Sequence, residues 1–393
     1  MPTFPRRRGG SSRKLEPERA CTDRITAVGG HDVTCVLRLR VGHRACADTV
    51  VALVTRAEPP CCGAPMALHP PDPKFVLRGT GASVNTLHFC CRSPVNCDSV
   101  LFSGSANGLI HIWNLKTHRA DTVLESHDKN SVIWIQTLQW RYSLISQGRD
   151  STVCMWDLAE GRKMVVDSIP LDNYGFCQCS LLDRGVGSYL LALPGKDLSE
   201  VKIIDLPNKT PVWTINPPTD AKLGMPMCLK LWQPPSCSRP SILIGYEDGS
   251  VTLWDLSEKK MLSRLTCHKE PIMCLDFDPE KIKGISGSSE KVVASWSLDQ
   301  QQNLKLKNVV KLVNAGIAHT CLRQDKKIVA TGGWDHRIRI FGWKNLKPLA
   351  VLLYHTASIH CVTFSDHADL SERLMAAGSK DQRISLWSLY NEP

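Results

Sequence analysis

No stretch of this chain approaches the roughly 18 uninterrupted apolar residues that a membrane-spanning helix needs, so a bilayer-spanning reading has no support. Regular metal-ligand spacing is also missing. The 17 cysteines are scattered, and Cys61-Cys62, Cys90-Cys91 and Cys177-x-Cys179 lack the paired C-x₂₋₄-C pattern of a structural zinc site. With no secretory leader pattern, they are expected to be reduced intracellular thiols, many buried as small apolar side chains. Asn208-Lys209-Thr210 is formally a glycosylation sequon and reads here as a polar turn. The loops that carry chemistry are absent too. Pro194-Gly195-Lys196-Asp197 has the Gly-Lys pair of a phosphate-binding loop but neither the preceding Gly nor the following Ser/Thr. There is no G-x-S-x-G elbow, H-E-x-x-H or D-F-G. Cys177 and Cys179 are flanked by Phe176 and Leu181, which favours buried strand residues over redox work. These absences point to a non-enzyme with no cofactor and no metal.

The formal net charge of +10 invites a nucleic-acid reading, and its distribution argues against one. Residues 1–65 hold 11 Lys/Arg against 6 Asp/Glu, half of the excess, and the rest is spread over an ordinary surface without an Arg-rich helix. The leader mixes Pro, Gly, Ser and Arg without period, with weak alternation over Asp32 to Val41, and is expected to be a disordered arm. Arg6-Arg7-Arg8 is read as part of that solvated tail. Pro59-Pro60 and His69-Pro70-Pro71-Asp72-Pro73 form a stiff approach, because consecutive prolines cannot continue a helix or central strand. The expected division is 1–73 as a basic, Pro-rich extension and 74–390 as the folded domain.

What the chain does have is a returning phrase: LIHIWNL, TVCMWDL, VTLWDL, VVASWSL, IRIFGW and ISLWSL. The anchoring aromatics are Trp113, Trp156, Trp254, Trp296, Phe341 and Trp387, separated by 43, 98, 42, 45 and 46 residues. The long gap hides a degenerate copy, Val201 to Leu206, without an aromatic. Seven units of about 45 residues are what the four-stranded blades of a β-propeller require. A polar residue precedes each aromatic by six positions: Asn107, Asp150, Asp248, Glu290, Asp335 and Asp381. A turn acceptor followed by a period-two strand puts the aromatic at a repeatable place. Phe75-Val76-Leu77 arrives before the first repeat as a strand without a blade, and the last repeat stops after its third strand. The expected fold is therefore all-β, a seven-bladed propeller closed by the N-terminal strand pairing outside Ile384 to Leu386.

This pattern resembles the WD-repeat (WD40) family. The resemblance implies a blade-internal network of a His, a Ser or Thr, a turn Asp and the third-strand Trp. His127, Ser146, Asp150 and Trp156 match it in the second repeat, and His268, Ser286, Glu290 and Trp296 in the fifth. The seventh supplies His355, Asp381 and Trp387 but has Ala377 where the hydroxyl is expected. The sixth supplies Thr331 and Asp335, and its Phe341 has no indole N–H. These residues are expected to satisfy buried polar groups rather than to catalyse.

Partner recognition is expected on turns that depart from the repeat. The candidates are Lys222, Met225 and Met227 in an enlarged fourth unit, Arg149, Tyr246, and the turn Trp334, His336, Arg337. Trp334 is read either as an exposed anchor or as packing on the next blade, and the two methionines rather as fillers of an irregular blade. Lys259, Lys260, Lys281, Lys283, Lys305, Lys307, Lys311, Lys326 and Lys327 give the fifth and sixth repeats a basic flank, suited to an acidic segment or simply to solubility.

Segments 71–79, 221–229 and 377–390 resemble a G-protein β-like branch of the family, over roughly residues 66 to 393, and Met66-Ala67 resembles its usual start. What this branch implies is a cytoplasmic and nuclear scaffold related to a fungal ASTRA-complex subunit. Its expected partners are PI3-kinase-related kinases and their co-chaperone complex, in support of DNA-damage signalling. A G-protein γ subunit is not expected, because nothing between Met1 and Pro73 sustains a heptad. G-protein-like signalling and ubiquitin-ligase substrate reception remain open. The latter usually shows Trp-Asp-x-Arg at a blade end, and the one copy here, Trp334 to Arg337, sits in a turn.

Overall fold

A computed structural model describes residues 70–391 except 92–98, 126, 139–142, 174, 186, 207, 235–238 and 368. Among the described residues twenty-eight strands form seven antiparallel four-stranded sheets. The second blade shows the grammar. Its strands Val132–Leu138, Ser143–Gly148, Thr152–Asp157 and Met164–Pro170 run from the ring's inside to its outside. Gln147 and Gly148 end the second strand, Gln147 pairing with both Trp134 and Val153, so the turn to the third strand is confined to the residues after them. Helix is limited to two single 3₁₀ turns among the described residues, Ala159–Gly161 and Thr219–Ala221.

The ring closes through its ends. Phe75–Arg78 pairs antiparallel with Arg383–Trp387, setting Phe75 opposite Leu386 and Leu77 opposite Ile384. Leu77 and Ile384 are both fully buried. The last sheet therefore takes its outer strand from more than 300 residues upstream, which covers an edge that would otherwise be open. The expectations for residues 1–69 lie outside the described residues; Pro70 to Pro73 carry no strand.

Trp113, Trp156, Trp296 and Trp387 are essentially fully buried and Trp254 nearly so. Their role is visible in the ladder: the pairing of third and fourth strands shifts register immediately before each of Trp113, Trp156, Trp254, Trp296 and Phe341. Such a bulge bends the outer strand and turns the ring into the seam between blades. The aromatic-free copy obeys the same rule. Its register shifts between Ile203 and Ile204, and the buried Ile204 stands where the Trp would be. Seven apolar clusters fill the seams, each combining side chains of neighbouring blades.

Candidate functional site: the blade networks, the channel and its rim

The blade networks come first because they account for most of the conspicuous histidines. In the second blade His127 Nδ1 lies 2.9 Å from Asp150, and its Nε2 lies 2.8 Å from Ser146 Oγ. Trp156 Nε1–H donates to the same hydroxyl at 2.8 Å. A carboxylate only accepts, so Nδ1 carries the proton; in a neutral ring Nε2 is then left to accept from Ser146 O–H. The fifth blade repeats this with His268, Glu290, Ser286 and Trp296. Burial depresses the His268 and His355 pKa values, keeping both rings neutral against their carboxylates.

The seventh blade obtains its hydroxyl from elsewhere. Ser385 Oγ, on the third strand, lies 2.7 Å from His355 Nε2 and accepts from Trp387 Nε1 at 2.8 Å. Ala377, directly opposite Ser385 in the ladder, is therefore not a gap in the network. The fourth blade uses the same device: Trp254 donates to Thr252, two residues before it. In the sixth blade Asp335 has no histidine; Arg339 grips it with both terminal nitrogens, and Asn314 donates to it at 3.0 Å. Thr331 Oγ1 is buried without a hydrogen-bond partner there, since Phe341 offers no N–H.

The inner strands surround a central channel with a cavity of about 840 Å³. Each of the seven seams around it carries a hydrogen bond between neighbouring inner strands, or the residues just before one, that involves at least one side chain. In ring order these are Asn85 to Val132 O, Gln178 to Ile133 O, Leu231 N to Ser180, Lys230 to Asp276, Leu322 N to Asp276, Val362 N to His319 Nδ1, and His360 to Asn85. Asp276 thus joins three blades: Lys230 Nζ lies 2.8 Å from one oxygen and the Leu322 N–H 2.8 Å from the other. Burial opposes its charge, but Lys230 and these N–H groups hold its pKa below the ordinary range. Burial pushes His88 and His319 down to about 4. None of these belt residues stood out in the repeat pattern, because inner-strand positions vary from blade to blade.

The candidate partner residues separate into two groups. Arg149, on the second blade, and Trp334, on the sixth, both line the channel mouth, with Phe176 and Lys380 as further lining residues. The Arg149 guanidinium lies 4.3 Å from the centre of the Phe176 ring, which is 63% exposed. Trp334 is 43% exposed, so it is not buried in the next blade, although its ring covers Gly316, where a Cβ would meet it at 2.1 Å. Phe176 escaped notice because it falls in a connection with no repeat signature. Met227 is half-buried and lines the channel, Met225 and Lys222 are exposed on the fourth unit's approach, and His336 is exposed in the sixth blade's turn, whereas Arg337, expected in that turn, opens the strand Arg337–Gly342. Tyr246 requires correction: it is fully buried in the cluster between the third and fourth blades, because the strand Ser241–Tyr246 continues inward to its last residue. Among the described cysteines none is exposed, and burial raises the Cys177 and Cys179 thiols.

The basic flank is partly committed to the fold. Lys283 Nζ donates to Trp343 O at 2.7 Å and lies 4.3 Å from the centre of that indole ring, while Lys281 Nζ donates to Lys326 O. Lys305 pairs with Asp299. No group of three or more His, Cys, Asp or Glu side chains among the described residues is arranged to hold a metal ion, and no described helix is long and apolar enough to cross a membrane.

Comparison with known proteins agrees with this architecture. The "WD40: WD domain, G-beta repeat" family matches residues 71–114 and 346–388. The chain is 56% identical to guanine nucleotide-binding protein subunit beta-like protein 1 of Mus musculus, across 82% of this chain and 98% of the relative. It is 28% identical to ASTRA-associated protein 1 of Verticillium alfalfae over 81% of this chain and 93% of that protein, and 24% identical to the Schizosaccharomyces pombe protein of the same name over 81% and 99%.

Proposed function

Since the chain belongs to the WD40-repeat family, and within it to that of guanine nucleotide-binding protein subunit beta-like protein 1, we propose that it is a scaffold supporting the assembly and stability of PI3-kinase-related kinases, and through them DNA-damage signalling. The observation that carries the scaffold part is the disposition of the polar residues. The histidines and acids that might do chemistry are consumed in blade networks and in the channel belt, while unsatisfied recognition chemistry sits at the channel mouth in Arg149, Phe176 and Trp334. The WD40 propeller is a scaffold architecture, and the chain carries no recognisable catalytic motif. The kinase part is supported by similarity to the ASTRA-associated proteins across nearly their whole length. A scaffold with these partners works in the cytoplasm and the nucleus.

Affinity purification of the full chain followed by mass spectrometry tests the reading. Recovery of PI3-kinase-related kinases with their chaperone adaptors is the expected result, accompanied by a fall in those kinases when the chain is depleted. G-protein γ subunits or cullin adaptors in their place would overturn it in favour of signalling or ubiquitin-ligase substrate reception.

A further inference from the structure

Every blade ends in an outer strand whose far edge has no neighbouring strand in its sheet. Such edges attract other extended chains, and proteins blunt them with charge, proline or shortness. Five of the seven outer strands here are blunted. Arg119–Glu125, Lys260–Thr266 and Leu304–Lys311 carry charges along their length, Met164–Pro170 carries Asp167, and Phe75–Arg78 is four residues long. Thr210–Ile215 is uncharged, with Pro211 opposite the bulge residue Ile204, and the lysine before it, Lys209, is paired with Asp167. The sixth blade's strand, Pro348–Leu353, has the sequence PLAVLL. It has no charge and, after its first residue, no proline. Leu349, Val351 and Leu353 are 41%, 37% and 64% exposed, while Leu352 between them is fully buried in the seam with the seventh blade.

A basic cluster stands at the start of this strand. Lys344 and Lys347 are exposed in the turn that leads into it, and Gly342 N–H donates to Lys347 O across that turn. Trp343 N–H donates to Lys327 O, and Lys283 Nζ reaches Lys344 O, which draws those lysines to the same end of the blade. No described carboxylate forms an ion pair with Lys326, Lys327, Lys344 or Lys347.

We propose that the outer edge of Pro348–Leu353 is a docking site for an extended segment of a partner protein that adds a fifth antiparallel strand to the sixth blade. Apolar residues at alternate positions of that segment would cover Val351 and Leu353, and acidic residues directly after them would meet Lys344 and Lys347. Antiparallel pairing fixes this order, since the segment's C-terminal end lies beside the strand's beginning. Charge excludes the chain's own leader, whose alternating stretch Asp32 to Val41 carries Arg38 and Arg40 in a basic arm. A second copy fits poorly as well: a two-fold pairing about Val351 sets Lys347 opposite His355, which is buried and offers no carboxylate. The proposal rests on the scaffold reading only in that the occupant is a protein.

The test is selection of a random twelve-residue peptide library on the full chain, repeated with Val351→Lys and with Lys344→Glu/Lys347→Glu. The expected result is an enriched motif of alternating apolar residues followed by Asp or Glu. Its binding is lost in Val351→Lys, weakened about tenfold in the double variant and reduced by salt. Bound peptide slows amide exchange in Pro348–Leu353. Both changes are at exposed positions, and an unchanged melting temperature shows that the propeller is intact. No enrichment, a motif without the acidic end, binding indifferent to Val351→Lys, or a dimer broken by that variant overturns the proposal. Affinity purification with Val351→Lys separates the two readings: kinases retained by the variant argue against the edge alone, and kinases absent from the wild-type chain argue against the scaffold reading alone.

Discussion

Arg339 holds Asp335 through two hydrogen bonds, one to each carboxylate oxygen, 3.0 Å and 2.5 Å long, with both side chains about nine-tenths buried. Asp335 occupies the turn position that a histidine serves in the second, fifth and seventh blades. The guanidinium comes instead from the third strand, two residues before Phe341. Burial alone would raise the Asp335 pKa; Arg339 and Asn314 overcome it and hold the carboxylate below its ordinary value. The sixth blade has therefore exchanged a histidine–carboxylate hydrogen bond for an ion pair.

That exchange predicts an asymmetric cost. Arg339→Met should destabilise the protein by about 3–5 kcal/mol, because it strands a buried carboxylate, whereas Arg339→Met combined with Asp335→Leu should recover much of the loss. Urea denaturation of the single and double variants measures both, and equal destabilisation by the two would contradict the account.

In the seventh blade the prediction concerns which hydroxyl matters. Ser385→Ala should cost about 1–3 kcal/mol, since it leaves the Trp387 N–H and His355 Nε2 unpaired at once. Asp381→Ala and Asp150→Ala should likewise lower the melting temperature before they affect any binding. Unchanged melting with lost partner binding would show that these residues act on the surface and not within the blade.

The channel belt predicts a pH dependence. His88 and His319 take up protons near 6.5 when unfolded but only near 4 in the folded ring. The unfolded chain thus binds more protons between these values, and stability should be full above pH 6.5, decline as pH falls and level off below about 4 for these groups. His319 Nδ1 accepts the Val362 N–H, so protonation there also opens the seam between the sixth and seventh blades. Thermal melts from pH 7.5 to 5 should show the decline, and His88→Gln/His319→Gln should flatten it.

Closure can be tested by length. Deleting residues 74–79 removes the strand opposite Arg383–Trp387 and should yield an unfolded or aggregating protein, while deleting 1–65 should leave the melting temperature unchanged. Circular dichroism and size-exclusion chromatography of the two truncations check this, and a monomeric, cooperatively melting 74–79 deletion would refute it.

The propeller and its seven units were legible because a blade repeats: the same turn acceptor, strand length and bulged aromatic recur every 40 to 50 residues. Even the aromatic-free copy could be placed by spacing, with Ile204 at the bulge. The network of the second blade could be named residue by residue because the resemblance to the WD-repeat family supplies its pattern. Ser385 could not, because Ser/Thr at the aromatic minus two is equally an ordinary strand residue. Only the ladder shows that it faces Ala377 and reaches His355. Tyr246 looked like a turn residue from its place before Glu247-Asp248, and its burial depends on the neighbouring blade's wall.

The sequence by itself determined the architecture and the closure by Phe75–Arg78, through the repeat spacing and the strand left over before the first repeat, while the demotion of the blade histidines from catalysts to supports came from the resemblance to the WD-repeat family. Only the tertiary structure decided what happens between blades. The belt through Asp276, the meeting of Arg149 with Phe176 at the channel mouth, and the placing of the uncharged edge of Pro348–Leu353 beside its lysines depend on which seam a side chain enters. Seam contacts join residues some 30 to 70 positions apart at variable offsets, or nearly 280 where the ring closes, so no repeat period records them.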